Sequence, residues 1–259
     1  SDLGFVLVAI TRRLLAPSYF FSLLQPEIMD RSALYTHTAQ PHQLAKQWSP
    51  YENNGGTVLA VSGKDFVIVA GDTRVSTGYS INTRHGEKLT QLTSGCVIAT
   101  SGMLADQLAL HKTLKARMTF YKQQHRKEMS TPSVAQLLST TLYHKRFFPY
   151  YTFNIIAGLD EEGRGAVYGY DAVGSFQRVP VVCQGTGHEL IQPVVDNQID
   201  RKHQAGKGLL EISEADAISL VQDCFTSAGE RDIYTGDSVD IAIINKDGIR
   251  WETFELKKD

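Results

Sequence analysis

The chain has 259 residues, of which 42% are hydrophobic and 21% are charged, and its 26 basic and 28 acidic residues give a net charge of −2. A chain of this length and apolar content can bury one large core or two smaller ones. The near-neutral balance predicts no general attraction to nucleic acid or to an anionic membrane surface.

The cysteines argue against a metal cluster or a disulfide framework, and the apolar runs argue against a membrane-spanning protein. Cys96, Cys183 and Cys224 are widely spaced and odd in number, which predicts buried free thiols in a reducing compartment rather than a metal cluster or a disulfide framework. No apolar run approaches the roughly 18 to 20 residues needed to span a bilayer. In a signal peptide the charges precede the apolar run, whereas here Arg12 and Arg13 follow it.

Two regions of the chain differ in character. Residues 1–46 show no sustained hydrophobic period, and we expect them to form an N-terminal extension that packs poorly by itself and is open to trimming. Residues 47–259 are predicted to form the folded domain, because a dense and regular pattern begins at Gly55.

The first block of the domain reads as two hairpins followed by two helices. Four β-branched apolar runs predict strands at residues 57–62, 66–71, 88–93 and 96–101. Thr131 and Pro132 resemble an N-cap and a first helical residue, and this second helix must end before Pro149. The first helix is predicted from residues spaced three and four apart: Leu104, Leu108, His111, Leu114, Met118 and Tyr121.

The rest of the domain reads as one strand pair, two helices and a closing hairpin. A helix is predicted over residues 188–198, where Pro193 would disturb it unless it lay in the first turn. Ser213 and Asp216 resemble a capping box that opens another helix. Strands are predicted at residues 151–158, 166–171, 239–244 and 249–256.

Hairpin blocks separated by helix pairs indicate an α+β fold rather than an alternating parallel one. The economical arrangement is a four-layer αββα sandwich, in which two antiparallel sheets stack face to face and helix pairs cover their outer faces.

Seven short segments, in order, resemble the proteasome beta-subunit family. The resemblance covers the chain from about residue 48 to its end, and it implies the N-terminal-nucleophile hydrolase fold. The segments are GGTVLA at 55–60, VIVAGDTR at 67–74, KLTQL at 88–92, SGMLAD at 101–106, GLD at 158–160, YDAVGS at 170–175 and RDIYTGD at 231–237.

In active members of that family, a threonine hydroxyl attacks the peptide carbonyl, and the free α-amine of the same residue helps to take its proton. An acid, a lysine and a second acid surround the threonine. By resemblance Asp72, Lys88 and Asp232 match this charged trio, and Thr235 matches a small hydroxyl residue beside the second acid. His188 stands where active members usually have a serine.

The register of the trio identifies the residue at the nucleophile position. In active relatives the acid lies 16 positions after the nucleophile and the lysine another 16 beyond. Lys88 lies 16 positions after Asp72, and 16 positions before Asp72 the chain has Gly56, which has no hydroxyl. We therefore predict no catalytic residue. The trio is then either a catalytic relic or a mutually satisfied charge cluster, and we favour the second.

Thr57 is the alternative nucleophile, in an active threonine peptidase. A shift of one residue turns a side chain to the opposite face of a strand, so Thr57 is predicted to point away from Asp72, Lys88 and Asp232. A one-residue deletion in the turn at residues 63–65 would restore its register. A self-contained amidohydrolase of the same fold is a third hypothesis.

The resemblance implies an architectural role in ATP- and ubiquitin-dependent protein degradation. The expected partners are the other alpha and beta subunits of a four-ring particle of twenty-eight subunits, with regulatory caps as indirect partners, in the cytoplasm and nucleus. Neither nucleic acid nor a membrane is an expected partner, and no cofactor or metal is expected. Because Gly56 cannot cleave its own precursor, we predict no cut between Gly55 and Gly56; a neighbouring active subunit would trim upstream, near Gln47.

Overall fold

Two five-stranded antiparallel sheets form the centre of the fold in the computed structural model, which describes residues 48–259. The expected extension, residues 1–46, lies outside the described residues. The first sheet has the order β10-β1-β2-β11-β12, the second has the order β5-β6-β7-β8-β9, and β3 pairs with β4 separately. The strands are β1 (Thr57–Ser62), β2 (Phe66–Asp72), β3 (Val75–Thr77), β4 (Ser80–Thr83), β5 (Leu89–Thr93), β6 (Cys96–Gly102), β7 (Thr152–Leu159), β8 (Gly165–Tyr170), β9 (Phe176–Val179), β10 (Val181–Gly185), β11 (Ser238–Asn245) and β12 (Gly248–Glu255).

Four α-helices accompany these sheets within residues 48–259. They are α1 (Leu104–His125), α2 (Thr131–Tyr143), α3 (His188–Val195), which continues into a π-helical turn at Asp196–Asp200, and α4 (Glu214–Gly229). The α+β class and the antiparallel pairing predicted from the sequence are confirmed. Because connections between antiparallel strands can be short, each predicted hairpin closes through a turn of two to five residues.

Apolar side chains form three clusters that follow from strand alternation. In β1, Val58 and Ala60 join a cluster shared with residues of the second sheet, such as Val97 and Ile155. Leu59, one position on, lies in a different cluster with side chains of α3 and α4. A third cluster joins the second sheet to α1 and α2. β1 is apolar on both faces because both of its faces are covered.

The helix predictions need three corrections. Leu108 is 61% exposed, and Leu110 takes the expected place in the core. The N-cap of α2 is Ser130, whereas Thr131 is the first helical residue and donates its hydroxyl proton to the Leu159 carbonyl at 2.7 Å. Pro193 lies beyond the first turn of α3, and the regular helix ends two residues after it.

His111 lies in a buried polar chain between α1 and the second sheet. Thr100 donates its one hydroxyl proton to Asn154 Oδ1 at 2.9 Å, so its oxygen must accept from His111 Nε2 at 2.8 Å. Nδ1 then accepts from Thr90 at 3.1 Å. Burial, helped by the charge of Lys115, lowers the pKa of His111 to about 4. The imidazole is therefore neutral and acts as a fixed link between helix and sheet.

This pKa predicts a pH dependence of stability. The pKa of His111 is about 4 when folded, against 6.5 ordinarily, so the unfolded chain takes up the proton first. The contribution to stability is complete above about pH 6.5 and is lost as pH falls toward 4, to an extent of about 3 kcal/mol. Chemical denaturation between pH 7 and 4 would measure this loss. His111→Gln serves as the control, and equal pH slopes for the two proteins would refute the assignment.

Candidate functional site

The chain enters β1 through two glycines that have no room for side chains. Gly55 and Gly56 have φ values of +69° and +88°, in the left-handed region that favours glycine. A Cβ on Gly55 would lie 2.6 Å from the Tyr234 side chain. On Gly56 it would overlap Lys88 Cε and lie 2.6 Å from Lys88 Nζ and 3.0 Å from Asp72 Oδ1. The position that sequence register assigns to the nucleophile thus faces the predicted lysine and acid.

Asp72 and Lys88 form a buried ion pair beside Gly56. Asp72 ends β2 and Lys88 directly precedes β5, with exposures of 0% and 5%. Lys88 Nζ lies 3.2 Å from Asp72 Oδ1 and donates to the carbonyls of Asp72 at 2.8 Å and Arg74 at 2.6 Å. Three acceptors match the three protons of an ammonium group.

The carboxylate of Asp72 is held equally completely. Oδ1 accepts from the Thr57 amide at 2.7 Å, and Oδ2 accepts from the amides of Arg74 and Gly236, each at 3.3 Å. Burial raises the pKa of Asp72 above its ordinary value, while the Lys88 charge and the Thr57 amide oppose that rise. The pair therefore depends on every partner being present.

Thr57 joins this ion pair to the second acid. Its amide donates to Asp72, while its hydroxyl lies 2.7 Å from Thr235 Oγ1. Thr235 donates its own proton to Asp232 Oδ2 at 2.7 Å, so Thr57 must donate to Thr235. The Gly187 amide donates to Thr57 Oγ1 at 2.8 Å. A directed chain of hydrogen bonds therefore runs from Gly187 through Thr57 and Thr235 to Asp232.

One expectation about this region is wrong. Thr57 does not turn away from all three charged residues, because Thr235 connects its hydroxyl to Asp232. His188 lies next to the site but is exposed, and its Nδ1 donates to the Cys183 carbonyl at 2.8 Å. The backbone amide before it, that of Gly187, is what reaches the site.

Sequence reasoning missed a second buried ion pair next to the first. Arg74 Nε lies 2.8 Å from Asp237 Oδ2, and Arg84 also pairs with Asp237. Burial raises the pKa of Asp237, but hydrogen bonds from Arg74 and Arg84 outweigh it and hold that pKa below its ordinary range. Arg74 and Asp237 both lie in the quoted family segments. They are 163 positions apart in the sequence, and only the fold brings them into contact.

Within residues 48–259, no group of three or more His, Cys, Asp or Glu side chains is arranged to hold a metal ion.

The three cysteines are free and buried, as predicted, and burial raises the pKa of Cys96 to about 12 and of Cys224 to about 11. In the same part of the chain, no helix is long and apolar enough to cross a bilayer.

The family model for proteasome subunits matches residues 52–244, so the chain belongs to the proteasome subunit family. It is 51% identical, over 90% of its length and 100% of the relative's, to a protein of Dictyostelium discoideum described as proteasome subunit beta type-1. A beta type-1 subunit of Petunia hybrida is 54% identical over 82% of this chain and 97% of its own length. A yeast subunit described as beta type-6 is 43% identical over 87% of this chain and 97% of its own length. The resemblance to proteasome beta subunits is confirmed, and the Dictyostelium and Petunia relatives, each more than 50% identical, are both described as type 1.

Breaking the buried pair should be costly. Lys88→Met leaves the Asp72 carboxylate buried without its ammonium partner and is expected to destabilise the fold by about 3 to 5 kcal/mol. Adding Asp72→Asn to that variant should cost less than the sum of the two single changes, because no orphan charge remains. Denaturant titration of the four proteins would measure the coupling.

Lys122 provides the matched control for this experiment. Its ammonium pairs with Glu128 at 2.9 Å but is 59% exposed, so Lys122→Met should cost about 1 kcal/mol or less. A loss for Lys88→Met no greater than this would show that the buried pair does not stabilise the site.

Proposed function

We propose that this chain is a non-catalytic, structural beta subunit of the 20S proteasome core. The observation that carries the proposal is Gly56: the position facing Lys88 and Asp72 has no side chain, so no hydroxyl is presented to a peptide carbonyl. Its work would be to complete the ring and close the proteolytic chamber in ATP- and ubiquitin-dependent degradation.

Thr57 does not supply the missing nucleophile in this proposal. It is fully buried, and its hydroxyl proton is committed to Thr235. A catalytic nucleophile needs an accessible hydroxyl. That requirement is unmet at Thr57, which argues against the alternative of an active threonine peptidase.

The charged trio would then have a structural role. Asp72 and Lys88 satisfy each other and their backbone partners, and Asp232 accepts from Thr235 and from the Tyr234 amide at 3.1 Å. These contacts fix the loop of residues 232–236 against the start of β1. We favour a satisfied charge cluster over a catalytic relic, because an unpaired charge at this depth would be expensive.

The remaining parts of the proposal concern architecture and processing. The three apolar clusters support a four-layer αββα sandwich, and family membership supports a place in a particle of twenty-eight subunits in the cytoplasm and nucleus. We further propose that residues 1–46 are an extension to the domain of residues 47–259. It would be trimmed near Gln47 by an active neighbour, with no cut between Gly55 and Gly56.

A labelling experiment tests the proposal directly. Purified particles containing this chain would be treated with an electrophile that acylates catalytic threonine hydroxyls, and each subunit would then be examined by intact mass. Other subunits that react serve as the positive control. This chain should keep its mass, and an adduct mapped to Thr57 would refute the proposal in favour of the peptidase.

Restoring a hydroxyl at position 56 should not restore activity. In Gly56→Thr, the side chain must displace Lys88 from its carbonyl partners, and a β-branched residue must adopt a φ of +88°. We expect a loss of about 2 kcal/mol or more, and no labelling. The matched control is Gly78→Thr, where φ is +58° but no atom lies within 4 Å, so the difference isolates the clash with Lys88. Labelling of Gly56→Thr at wild-type stability would contradict this account.

A further inference from the structure

The residues just before the two glycines are built into the fold. At Asn54 the backbone amide donates to the Gly102 carbonyl at 3.0 Å, and the carbonyl accepts from the Ser76 amide at 3.1 Å. Asn54 thus bridges β3 and the end of β6 as an added strand residue would, through main-chain hydrogen bonds.

The side chain of Asn54 makes three further contacts. Nδ2 donates to the Ser76 carbonyl and to Thr77 Oγ1, each at 3.3 Å, while Oδ1 accepts from the Leu104 amide at 2.9 Å. Leu104 is the first residue of α1, and its own N-cap, Met103, provides no side-chain hydrogen bond. Asn54 therefore caps this helix from 50 residues away, by satisfying an amide that the helix itself cannot.

Tyr51 anchors the other end of this segment. Its hydroxyl donates to the Pro149 carbonyl at 2.7 Å, and its ring stacks on Phe148 at 5.5 Å and lies 5.6 Å from Tyr151. Between the two anchors, Asn53 makes a local turn by accepting from the Gly55 amide at 2.9 Å. Residues 51–55, here called the entry segment, are therefore fixed at both ends.

Little space remains between the entry segment and the ion pair. The void lined by Gly55, Lys88, Ser101 and Leu104 measures about 10 Å³, which is room for about one water molecule and not for a peptide group. Ser101 Oγ is buried there and has no hydrogen-bond partner within the described part of the chain. A peptide approaching Lys88 from this side would have to displace the entry segment.

Asn54 lies in a groove with β3 on one side and the end of β6 and the start of α1 on the other. We propose that the entry segment is a permanent occupant of this groove, with Asn54 as the positioning residue that holds it there. The groove is thereby closed to peptide from within the chain, in addition to the absence of a hydroxyl at position 56. That this closure is a second cause of inactivity rests on the proposed function. The attachment of the entry segment through Asn54, here called the clamp, does not rest on it.

Hydrogen exchange of assembled particles tests the clamp. In Asn54→Ala, amides of residues 52–56 and of the first turn of α1 should exchange roughly 10- to 100-fold faster, as expected when two or three hydrogen bonds are lost. The matched control is Asn53→Ala, because that residue is exposed and its hydrogen bond within residues 48–259 is the local one with Gly55. In Asn53→Ala the amides of the first turn of α1 should stay protected from exchange.

A second variant separates the two functions of the Asn54 side chain. Asn54→Asp keeps an acceptor for the Leu104 amide but loses the donor to Ser76 and Thr77, so α1 should stay protected while residues 52–56 open. This variant also carries the test if Asn54→Ala fails to assemble. Unchanged exchange in both variants, or a uniform increase over the whole chain, would overturn the clamp. An adduct on Thr57 in the unmodified particle would overturn the proposed function and leave the clamp standing.

Discussion

The ion pair of Asp72 and Lys88 is the contact on which the rest of the site depends. Both groups are buried, and burial of a lone charge is costly enough that each must keep its partners. Those partners are the amides and carbonyls of residues 57, 72, 74 and 236. The requirement to satisfy two charges therefore fixes the start of β1, the end of β2 and the loop before β11 in one arrangement.

Thr57 uses both its amide and its hydroxyl to hold the site together. One residue supplies an amide to the first acid and a hydroxyl to the chain that ends on the second. Both groups are engaged in hydrogen bonds of fixed direction, so the Thr57 hydroxyl has no proton free for another acceptor. Charged residues at this site are therefore compatible with a purely structural role.

Much of the fold could be predicted because hairpins and amphipathic helices are local patterns. The strands β9 and β10 were not predicted, because each is short and only Pro180 separates them.

The site was only partly predictable. Register predicted that Gly56 rather than Thr57 faces Lys88 and Asp72, but it could not show that the loop of residues 232–236 reaches the Thr57 side. The cap that Asn54 provides to α1 and the pair of Arg74 with Asp237 join distant positions, and no local pattern reports such contacts.

The two glycines connect the absence of a side chain at position 56 with the presence of the entry segment. To pass from the groove held by Asn54 into β1, the backbone takes left-handed φ values at Gly55 and Gly56 in succession. That path is open to glycine and closed to a β-branched residue. A threonine at position 56 would require a different path, and a different path would release the segment. The absence of a hydroxyl at position 56 and the occupation of the groove are therefore both linked to one backbone conformation.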